Sequence, residues 1–374
     1  MSQRFDPSSL HRIVIKVGST SIVRPDGLVR LGFLGKLVTT VCQLHKQGAN
    51  AIIVSSGAIA MGTIQLGRAD RPVRIQEKQA CASVGQTELM TLYQKLFSTL
   101  SMQTGQVLLT RDDLEDRRRY LNARETLLRL LELGIVPIVN ENDSVSVDEI
   151  QFGDNDELSA LVAGLIDADL LALLTDVDGL YDGDPQSDPN AKVIETVNQP
   201  IQELLDLAGN RGSAFGRGGM RSKLEAARLC RNFGIPCIVI RSNGSVLEQA
   251  LRGEPVGTYF VPLSHKVDGR SRWLAKAAAV HGTLFLDEGA TQAVTSGGKS
   301  LLPRGIAKIA GQFARGAVVI LADERGKEIG RGVVHYGSAD LERIIGKHGS
   351  EIESVLGFTF GDEVVHRDDI VLTM

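Results

Sequence analysis

The chain has 374 residues, of which 43% are hydrophobic and 23% charged, a composition typical of a folded globular protein with two or three domains. A formal net charge of −4 excludes a global basic field for nucleic acid or anionic membranes. No apolar run approaches the roughly 18 residues of a membrane span, and the N-terminus lacks the apolar core of a signal peptide. Four cysteines without a CxxC pair favour reduced thiols and a cytoplasmic location.

The first predicted strand covers residues 12–17 and runs directly into a turn of glycine and hydroxyl residues at 18–21. Lys16 lies inside this apolar strand, where an ammonium group is unfavourable unless it emerges beside a partner. One interpretation is a lysine that reaches solvent from an edge strand. The other is a lysine held for an anionic ligand, since the following turn offers backbone N–H groups.

The rest of the first 240 residues repeats an order of helix, glycine, apolar strand and small polar turn. Helices are predicted at 28–47, 117–133 and 220–233, and strands at 51–54, 106–110, 135–139, 168–174 and 235–240. Because strands alternate with helices, the predicted fold class is α/β, with a mostly parallel open sheet between layers of helices.

Polar side chains follow four of these strands, at the carboxyl ends where such sheets bind ligands. They are Lys16, Ser56, Asn140, Asp143, Thr175 and Asp176. A polar turn after a single strand is usually only a turn. Four of them together favour a shared site.

Residues 153–160 (GDNDELSA) place two carboxylates and a carboxamide directly before an apolar run at helical spacing. This pattern predicts a loop-to-helix junction, where unpaired N–H groups and a partial positive charge face outward. Such a segment alone is typical of an ordinary helix N-cap. Because several predicted strands also end in polar turns, we favour a functional role for this segment.

A second organising feature is the glycine-rich stretch 216–223 (GRGGMRSK), which opens a predicted helix. Its glycines allow the backbone to approach a phosphate closely, and the helix N-terminus favours anions. Lys223 projects from the first turn of that helix. The stretch matches neither the Walker A pattern nor a G-x-G-x-x-G turn after a strand, so a flexible surface loop is the alternative.

The composition changes near residue 254, and three segments are predicted: a catalytic domain at 1–264, a linker at 265–280 and a small β-rich domain at 281–374. Strands are predicted at 281–286, 299–302, 305–309, 317–322 and 328–334. Residues 346–349 (GKHG) fit the GXXG core of a KH RNA-binding module, but the helices that flank this core in a KH fold are not predicted.

Taken as a set, the motifs resemble the amino-acid kinase family with a C-terminal PUA domain. The kinase motifs are VIKVGS (14–19), VSSGAI (54–59), NEND (140–143), GDND (153–156), LTD (174–176) and GGMRSK (218–223). The PUA motifs are LDEGA (286–290), with Leu286 where valine is usual, KSLLPRG (299–305) and GQFARG (311–316). The resemblance covers nearly the whole chain in the right order. It implies the amino-acid kinase fold followed by a PUA-like domain.

The members that the chain resembles phosphorylate the γ-carboxylate of L-glutamate with ATP, which begins proline synthesis. The resemblance implies that Lys16 and Lys223 contact the ATP phosphates, and that Asp156 holds the two lysines. Glutamate would be bound by Ser56, Asp143 and Asn155. The nucleotide would be bound by Lys16, Thr175, Asp176, Arg217, Gly218, Gly219, Met220, Arg221, Ser222 and Lys223. Position 217 is usually a small residue or threonine in this family, and here it is Arg217.

The chemistry of the residues agrees with this implication. A γ-carboxylate has a reference pKa of about 4.3, so it is ionised at neutral pH and needs no catalytic base. None of the seven histidines falls in these motifs. Phosphoryl transfer then depends on positioning and charge stabilisation, for which two lysines and Mg²⁺ would supply the positive charge. The acidic groups would then hold metal, lysine or the substrate ammonium. No protein side chain is assigned as a metal ligand.

Within the family, N-acetylglutamate kinase, aspartokinase and carbamate kinase are the alternatives. A carboxylate such as Asp143 in the substrate pocket argues for a free amino group. The resemblance further implies inhibition by proline, delivery of the acyl phosphate to glutamyl-phosphate reductase, and a homo-oligomer. RNA binding through the PUA-like domain is the rival function, and it is disfavoured because acidic residues offset the basic ones there. No membrane partner is expected.

Overall fold

The computed structural model describes residues 4–68, 70, 72–145, 155–183, 185, 188, 190–201, 204–205, 219–263 and 279–372. The chain divides into two compact units. The first comprises Met1–Asp113 and Arg118–Val267, and the second comprises Leu114–Arg117 and Asp268–Met374. The predicted linker at 265–280 lies almost entirely outside the described residues, so the predicted domain boundaries remain a prediction. No described helix is long and apolar enough to cross a membrane.

The first unit is built on an eight-stranded sheet with the strand order β3-β4-β2-β1-β5-β7-β8-β6. The strands are β1 (Arg12–Val17), β2 (Asn50–Ser55), β3 (Thr104–Leu109), β4 (Val136–Glu141), β5 (Leu170–Thr175), β6 (Thr196–Val197), β7 (Cys237–Arg241) and β8 (Thr258–Phe260). In the order of the sheet, the first six strands (β3, β4, β2, β1, β5 and β7) pair in parallel, and β8 joins β7 antiparallel. The prediction of a mostly parallel α/β sheet is confirmed.

The helices that lie wholly or mostly in this unit are α1 (Ser19–Ile22), α2 (Leu31–Lys46), α3 (Ala58–Gln65), α4 (Ile75–Ser98), α5 (Arg111–Glu115), α6 (Arg117–Glu132), α7 (Asn155–Leu165), α8 (Met220–Asn232) and α9 (Gly244–Leu251). Apolar side chains of α2, α4 and α9 form one core with alternate residues of β1, among them Ile13, Ile15 and Val17. Since side chains alternate across a strand, Lys16 points to the opposite face, where α7 packs against β1.

Most predicted elements occur within a few residues of their expected positions, because alternating apolar runs and glycine stops are local signals. Helices α3 and α4 were not predicted. They pack so closely that a Cβ atom on Gly85 would lie 1.8 Å from the carbonyl oxygen of Ala58. A Cβ atom on Gly62 would meet the carbonyl oxygen of Cys81 at the same distance. Glycines at these positions weaken a helical pattern in the sequence, although they are what lets the two backbones touch.

The second unit contains a five-stranded sheet with the order β10-β9-β11-β12-β13. Its strands are β9 (Val280–Leu286), β10 (Ile306–Ala310), β11 (Val318–Ala322), β12 (Glu328–Val333) and β13 (Ile370–Leu372), and its helices are α10 (Glu288–Thr295), α11 (Ser338–Ile344) and α12 (Ile352–Leu356). Short 3₁₀ turns cover Pro303–Gly305, Gly349–Glu351 and Arg367–Asp369 here, and Pro7–Ser9 in the first unit. The unit has its own apolar core around Leu284, Leu321 and Tyr336.

Two expectations for this unit were wrong. The predicted strand at 299–302 is a single bridge between Leu301 and Val365, because Pro303 begins a 3₁₀ turn directly after it. The GKHG segment was expected to lack flanking helices. In the structure α11 ends two residues before Gly346, and α12 follows the turn that begins at Gly349. Both helices are short, at seven and five residues.

Candidate active site

Three charged side chains from distant parts of the chain meet at the carboxyl end of β1. The Lys16 Nζ lies 2.6 Å from Asp156 Oδ1, and the Lys223 Nζ lies 3.0 Å from Asp156 Oδ2. All three are buried, with 3%, 0% and 7% of their surface exposed for Lys16, Asp156 and Lys223. Two ammonium groups therefore share one carboxylate, and the cluster carries a net positive charge.

The fold explains how each member reaches this point. Strand β1 is central, since Lys16 pairs with Val54 of β2 on one side and Leu173 of β5 on the other. The edge-strand interpretation of Lys16 is therefore wrong. Asp156 is the second residue of α7, and Lys223 lies in the first turn of α8. Because α7 packs against both β1 and α8, all three side chains converge.

Hydrogen bonds hold the start of α8 against this cluster. The Lys223 Nζ also donates to the carbonyl oxygen of Gly219 at 3.0 Å. The Ser222 hydroxyl donates to Asp156 Oδ2 at 2.8 Å and lies 3.0 Å from the same Gly219 carbonyl oxygen. The α8 end of the glycine-rich loop is thus fixed by the carboxylate that also holds Lys16.

The two lysines set the charge state of Asp156. Burial by itself raises the pKa of this carboxyl group, but the nearby ammonium groups of Lys16 and Lys223 outweigh burial. The net pKa of Asp156 lies below its ordinary value, so the group is an anion at neutral pH. An ionised, fully paired carboxylate positions cations and is poorly suited to accept a proton.

A cavity of about 550 Å³ opens next to this cluster. Its wall includes Ser56, Gly57, Asn140, Glu141, Asp143 and Asn155. Ser19 also lines it, three residues after Lys16, and Asn155 directly precedes Asp156. The cavity and the charged cluster therefore meet at the start of α7. Its volume falls in the range of small-molecule sites.

A chain of buried amides forms one wall of the cavity. The Asn155 Nδ2 donates to Asn140 Oδ1 at 2.8 Å, to Ser56 Oγ at 2.9 Å and to the Ser55 carbonyl oxygen at 3.2 Å. Its Oδ1 is buried and has no hydrogen-bond partner among the described residues. Ser56 and Asn155, both predicted to bind the same ligand, are thus in direct contact.

Asp143 is an acidic group of this cavity whose ionisation is shifted by its surroundings. Burial raises its pKa to about 6. The described part of the chain provides it with no hydrogen bond or ion pair. A partly buried carboxylate that lacks a cation is unfavourable by itself, and an ammonium group entering the cavity would stabilise its ionised form.

The other predicted nucleotide residues that the structure describes do not line this cavity. Thr175 ends β5, is 7% exposed, and donates to Asp176 Oδ1 at 3.1 Å. Met220 and Arg221 begin α8 beside Ser222, with Arg221 exposed. Arg217 and Gly218 lie outside the described residues, as do Gly153 and Asp154 of the other motif.

Comparison with known proteins identifies the family of this chain. A model of the amino acid kinase family matches residues 11–241, and a PUA domain model matches residues 282–356. The chain belongs to the amino acid kinase family. This kinase has relatives of nearly the same length that are named glutamate 5-kinase. It is 46% identical to the protein of Syntrophotalea carbinolica over 366 residues, which cover 98% of both chains.

Two further relatives carry the same name. The protein of a Geobacter species is 46% identical over 362 residues, covering 96% of this kinase and 97% of the relative. The protein of Caldanaerobacter subterraneus is 44% identical over 364 residues, again with 96% and 97% coverage. The predicted membership of the amino-acid kinase family and the predicted PUA domain are both confirmed.

Sequence reasoning missed several residues of this candidate site. Gly57 adopts a φ of 107° and turns β2 into α3 at the cavity wall. Glu141 is buried and lines the cavity. Gln86, on the unpredicted α4, contacts Asn140. The NEND motif was a usable signal for Glu141 and Asn140. No local signal distinguished Gln86 from any other polar residue of a long helix.

Proposed function

We propose that the kinase transfers the γ-phosphoryl group of ATP to the γ-carboxylate of L-glutamate, giving ADP and L-glutamyl 5-phosphate. The observation that carries this proposal is the buried Lys16–Asp156–Lys223 cluster beside a cavity walled by Asp143 and Asn155. The cluster suits a transferring phosphoryl group, and the cavity suits a small amino acid. The names of the full-length relatives support the same substrate.

The chemical step requires charge stabilisation more than proton transfer. A γ-carboxylate oxygen attacks the γ-phosphorus, and the bond between that phosphorus and the β–γ bridging oxygen of ATP breaks. Lys16 and Lys223 would bind the oxygens on which negative charge is spread in the transition state. Asp156 would keep both ammonium groups aimed at one point. Since the nucleophile is already ionised, no group in this site has to act as a base.

The cavity residues would bind the amino acid. Asp143 would pair with the substrate ammonium, and Asn155 would present its unpaired Oδ1 to a donor on the substrate. Ser56, which accepts from Asn155 Nδ2, would complete that wall. In this arrangement the γ-carboxylate would extend towards the start of α7, where the two lysines lie.

The nucleotide would lie on the other side of the lysines. Thr175 and Asp176 would bind it at the end of β5, together with loop residues 217–223. Among the described residues no three acidic, histidine or cysteine side chains cluster as a metal site. Mg²⁺ bound with ATP would supply further neutralisation of the charge on its phosphates.

Asp143 would also distinguish glutamate from the substrates of other amino-acid kinases. N-acetylglutamate has no ammonium group, so its binding would leave the partly buried carboxylate of Asp143 unpaired. Aspartate carries the ammonium but is one methylene shorter, so its carboxylate would fall short of the lysines. These two arguments favour glutamate over both alternatives.

Other parts of the proposal extend beyond the site. The kinase would act in the cytoplasm at the first step of proline synthesis, with proline as its feedback inhibitor. It would form a homo-oligomer and pass its labile product to glutamyl-phosphate reductase. The catalytic domain would occupy 1–264 and the PUA-like domain 281–374, joined by a linker at 265–280.

A substrate panel tests the proposal. ADP release would be measured with glutamate, N-acetylglutamate, aspartate and carbamate, each with and without proline. We expect turnover with glutamate that exceeds every other acceptor by at least about 100-fold in kcat/KM, as expected when a buried group is left unpaired. Equal or faster turnover of N-acetylglutamate would overturn the assignment. Proline inhibition of the glutamate reaction alone would support the pathway assignment.

A further inference from the structure

We propose that Gln86, on α4, is a positioning residue for the amino-acid substrate. It holds Asn140, which in turn orients Asn155 so that the Asn155 Oδ1 faces a donor on the substrate. The Gln86 Oε1 accepts from Asn140 Nδ2 at 2.8 Å. Gln86 is 9% exposed and is not part of the cavity wall, so it acts through Asn140. This inference rests on the proposed function.

The direction of the amide chain is fixed by a backbone group. The N–H of Glu141 can only donate, and it donates to Asn140 Oδ1 at 2.9 Å. The Asn140 side-chain oxygen is therefore the acceptor, and its Nδ2 must be the donor towards Gln86. Gln86 in turn has to present its oxygen. No other assignment of these amide atoms satisfies all the contacts.

The same logic orients Asn155 from two independent sides. Its Nδ2 donates to Asn140 Oδ1, and also to the Ser55 carbonyl oxygen, which can only accept. The Asn155 Oδ1 must then point the other way. It is buried and lacks a partner in the described part of the chain. Asn155 lines the cavity, so the network fixes an unpaired acceptor on a residue of the cavity wall.

Gln86 is the outermost member that keeps this network in place. Asn140 is only 2% exposed, so loss of the Gln86 oxygen would leave its Nδ2 buried and unpaired. The Asn140 side chain would turn to find another acceptor, which would move its Oδ1 away from Asn155. A second contact joins the same helix to the adjacent loop, since the Ser83 and Ser144 hydroxyls lie 2.9 Å apart. Helix α4 thus supports both ends of the segment that carries Asp143.

Two substitutions at position 86 test this role in the full-length protein. Gln86→Met keeps the length of the side chain and removes the oxygen, whereas Gln86→Glu keeps an acceptor oxygen. Gln86→Met should raise the KM for glutamate on the order of tenfold and change the KM for ATP less than about twofold. Gln86→Glu should restore the KM for glutamate to within about threefold of the wild type. Thr91→Ala, on the same helix, serves as the control and should leave both KM values unchanged.

A double-mutant cycle separates positioning from general stabilisation. Glutamate affinity would be measured by titration calorimetry for Gln86→Met, Asn155→Ala and the double variant. If Gln86 acts through Asn155, the two losses will not add. Additive losses, or a folded Gln86→Met variant with an unchanged KM for glutamate, would overturn this inference alone. A wild-type protein that fails to turn over glutamate would instead overturn the proposed function and, with it, the inference.

Discussion

At the scale of single residues, the site is dominated by one carboxylate that is shared by two cations. Asp156 is fully buried, yet its pKa stays below the ordinary value because Lys16 and Lys223 flank it. A buried charge that lost both partners would be strongly destabilising. Each lysine can be removed singly, because the other one still pairs with Asp156.

Lys223→Ala tests the catalytic part of this arrangement. We expect kcat to fall by about 10³-fold or more, since one of two cations on the transferring phosphoryl group is lost. Folding stability should fall only modestly, because Asp156 keeps its contacts with Lys16 and Ser222. ADP release and thermal unfolding would be measured on the same preparation. A folded variant with nearly wild-type turnover would contradict the proposed role.

The pH dependence of glutamate binding tests Asp143. Its pKa of about 6 predicts that the KM for glutamate rises as the pH falls below 6, by about fivefold between pH 6 and pH 5, because the ionised fraction of Asp143 declines. The glutamate γ-carboxylate, with a reference pKa of about 4.3, stays largely ionised down to pH 5. Steady-state kinetics between pH 5 and 7 would show this slope.

Asp143→Asn is the matched control for that measurement, because Glu141, Asp26, Arg24 and Arg68 also line the cavity. The Asp143→Asn variant should bind glutamate weakly, and its KM for glutamate should lack this dependence on pH.

The raised pKa of Asp143 also means that the folded state binds this proton more tightly than the unfolded state. Ionised Asp143 therefore destabilises the protein above pH 6, and this effect disappears as the pH falls towards 4. The Asn variant should accordingly melt at a higher temperature at pH 7. A wild-type KM for glutamate that does not change between pH 5 and 7 would contradict the role assigned to Asp143.

At the scale of elements, the close contact between α3 and α4 fixes the positions of residues at and next to the cavity wall. Gly57 directly precedes α3 at the cavity wall, and Gln86 lies on α4 next to Gly85. There is no space for a Cβ atom between the two backbones at Gly62 or Gly85. The spacing of the two helices thus depends on these glycines, and the positions of Gly57 and Gln86 depend on the spacing.

Gly85→Ala should therefore destabilise the protein by several kcal/mol, since its Cβ would lie 1.8 Å from the Ala58 oxygen and overpacking costs about 1–3 kcal/mol or more. Gly35→Ala is the matched control. Gly35 lies in α2, and a Cβ atom added there would have no neighbour within 4 Å, so alanine should stabilise the helix by about 0.5–1 kcal/mol. Chemical denaturation would compare both with the wild type. Equal effects of the two substitutions would refute the packing argument.

At the scale of the whole molecule, the two units have separate apolar cores, and every described residue of the proposed site lies in the first one. The second unit supplies a PUA domain with an exposed aromatic pair, Phe358 and Phe360, and with Arg315 3.5 Å above the Phe360 ring. None of these residues belongs to the proposed kinase site.

A chain truncated after residue 263 should therefore keep its turnover of glutamate within about fivefold of the full chain, as expected for domains with independent cores. ADP release would be compared between the two forms, with folding checked by circular dichroism. The same truncation carrying Lys223→Ala should be inactive, which controls for contaminating kinases. A folded truncation without turnover would show that the second unit contributes to catalysis.

The sequence alone determined the fold class, the two kinds of domain, the family and the charged residues of the cluster. Each of these depends on local features, namely apolar runs with period two or 3.6, glycine stops and short motifs in a fixed order. Lys16 could be recognised as unusual because a charged residue inside an apolar strand is unfavourable anywhere.

Only the tertiary structure decided which of these residues act together. Asn155 meets Ser55 across 100 positions of the chain, and Gln86 meets Asn140 across 54. Such contacts follow from the order of strands in the sheet and from the α3–α4 packing, which no local pattern encodes. The charge state of Asp143 depends in the same way on its surroundings, because burial is a property of the folded chain and not of the residue.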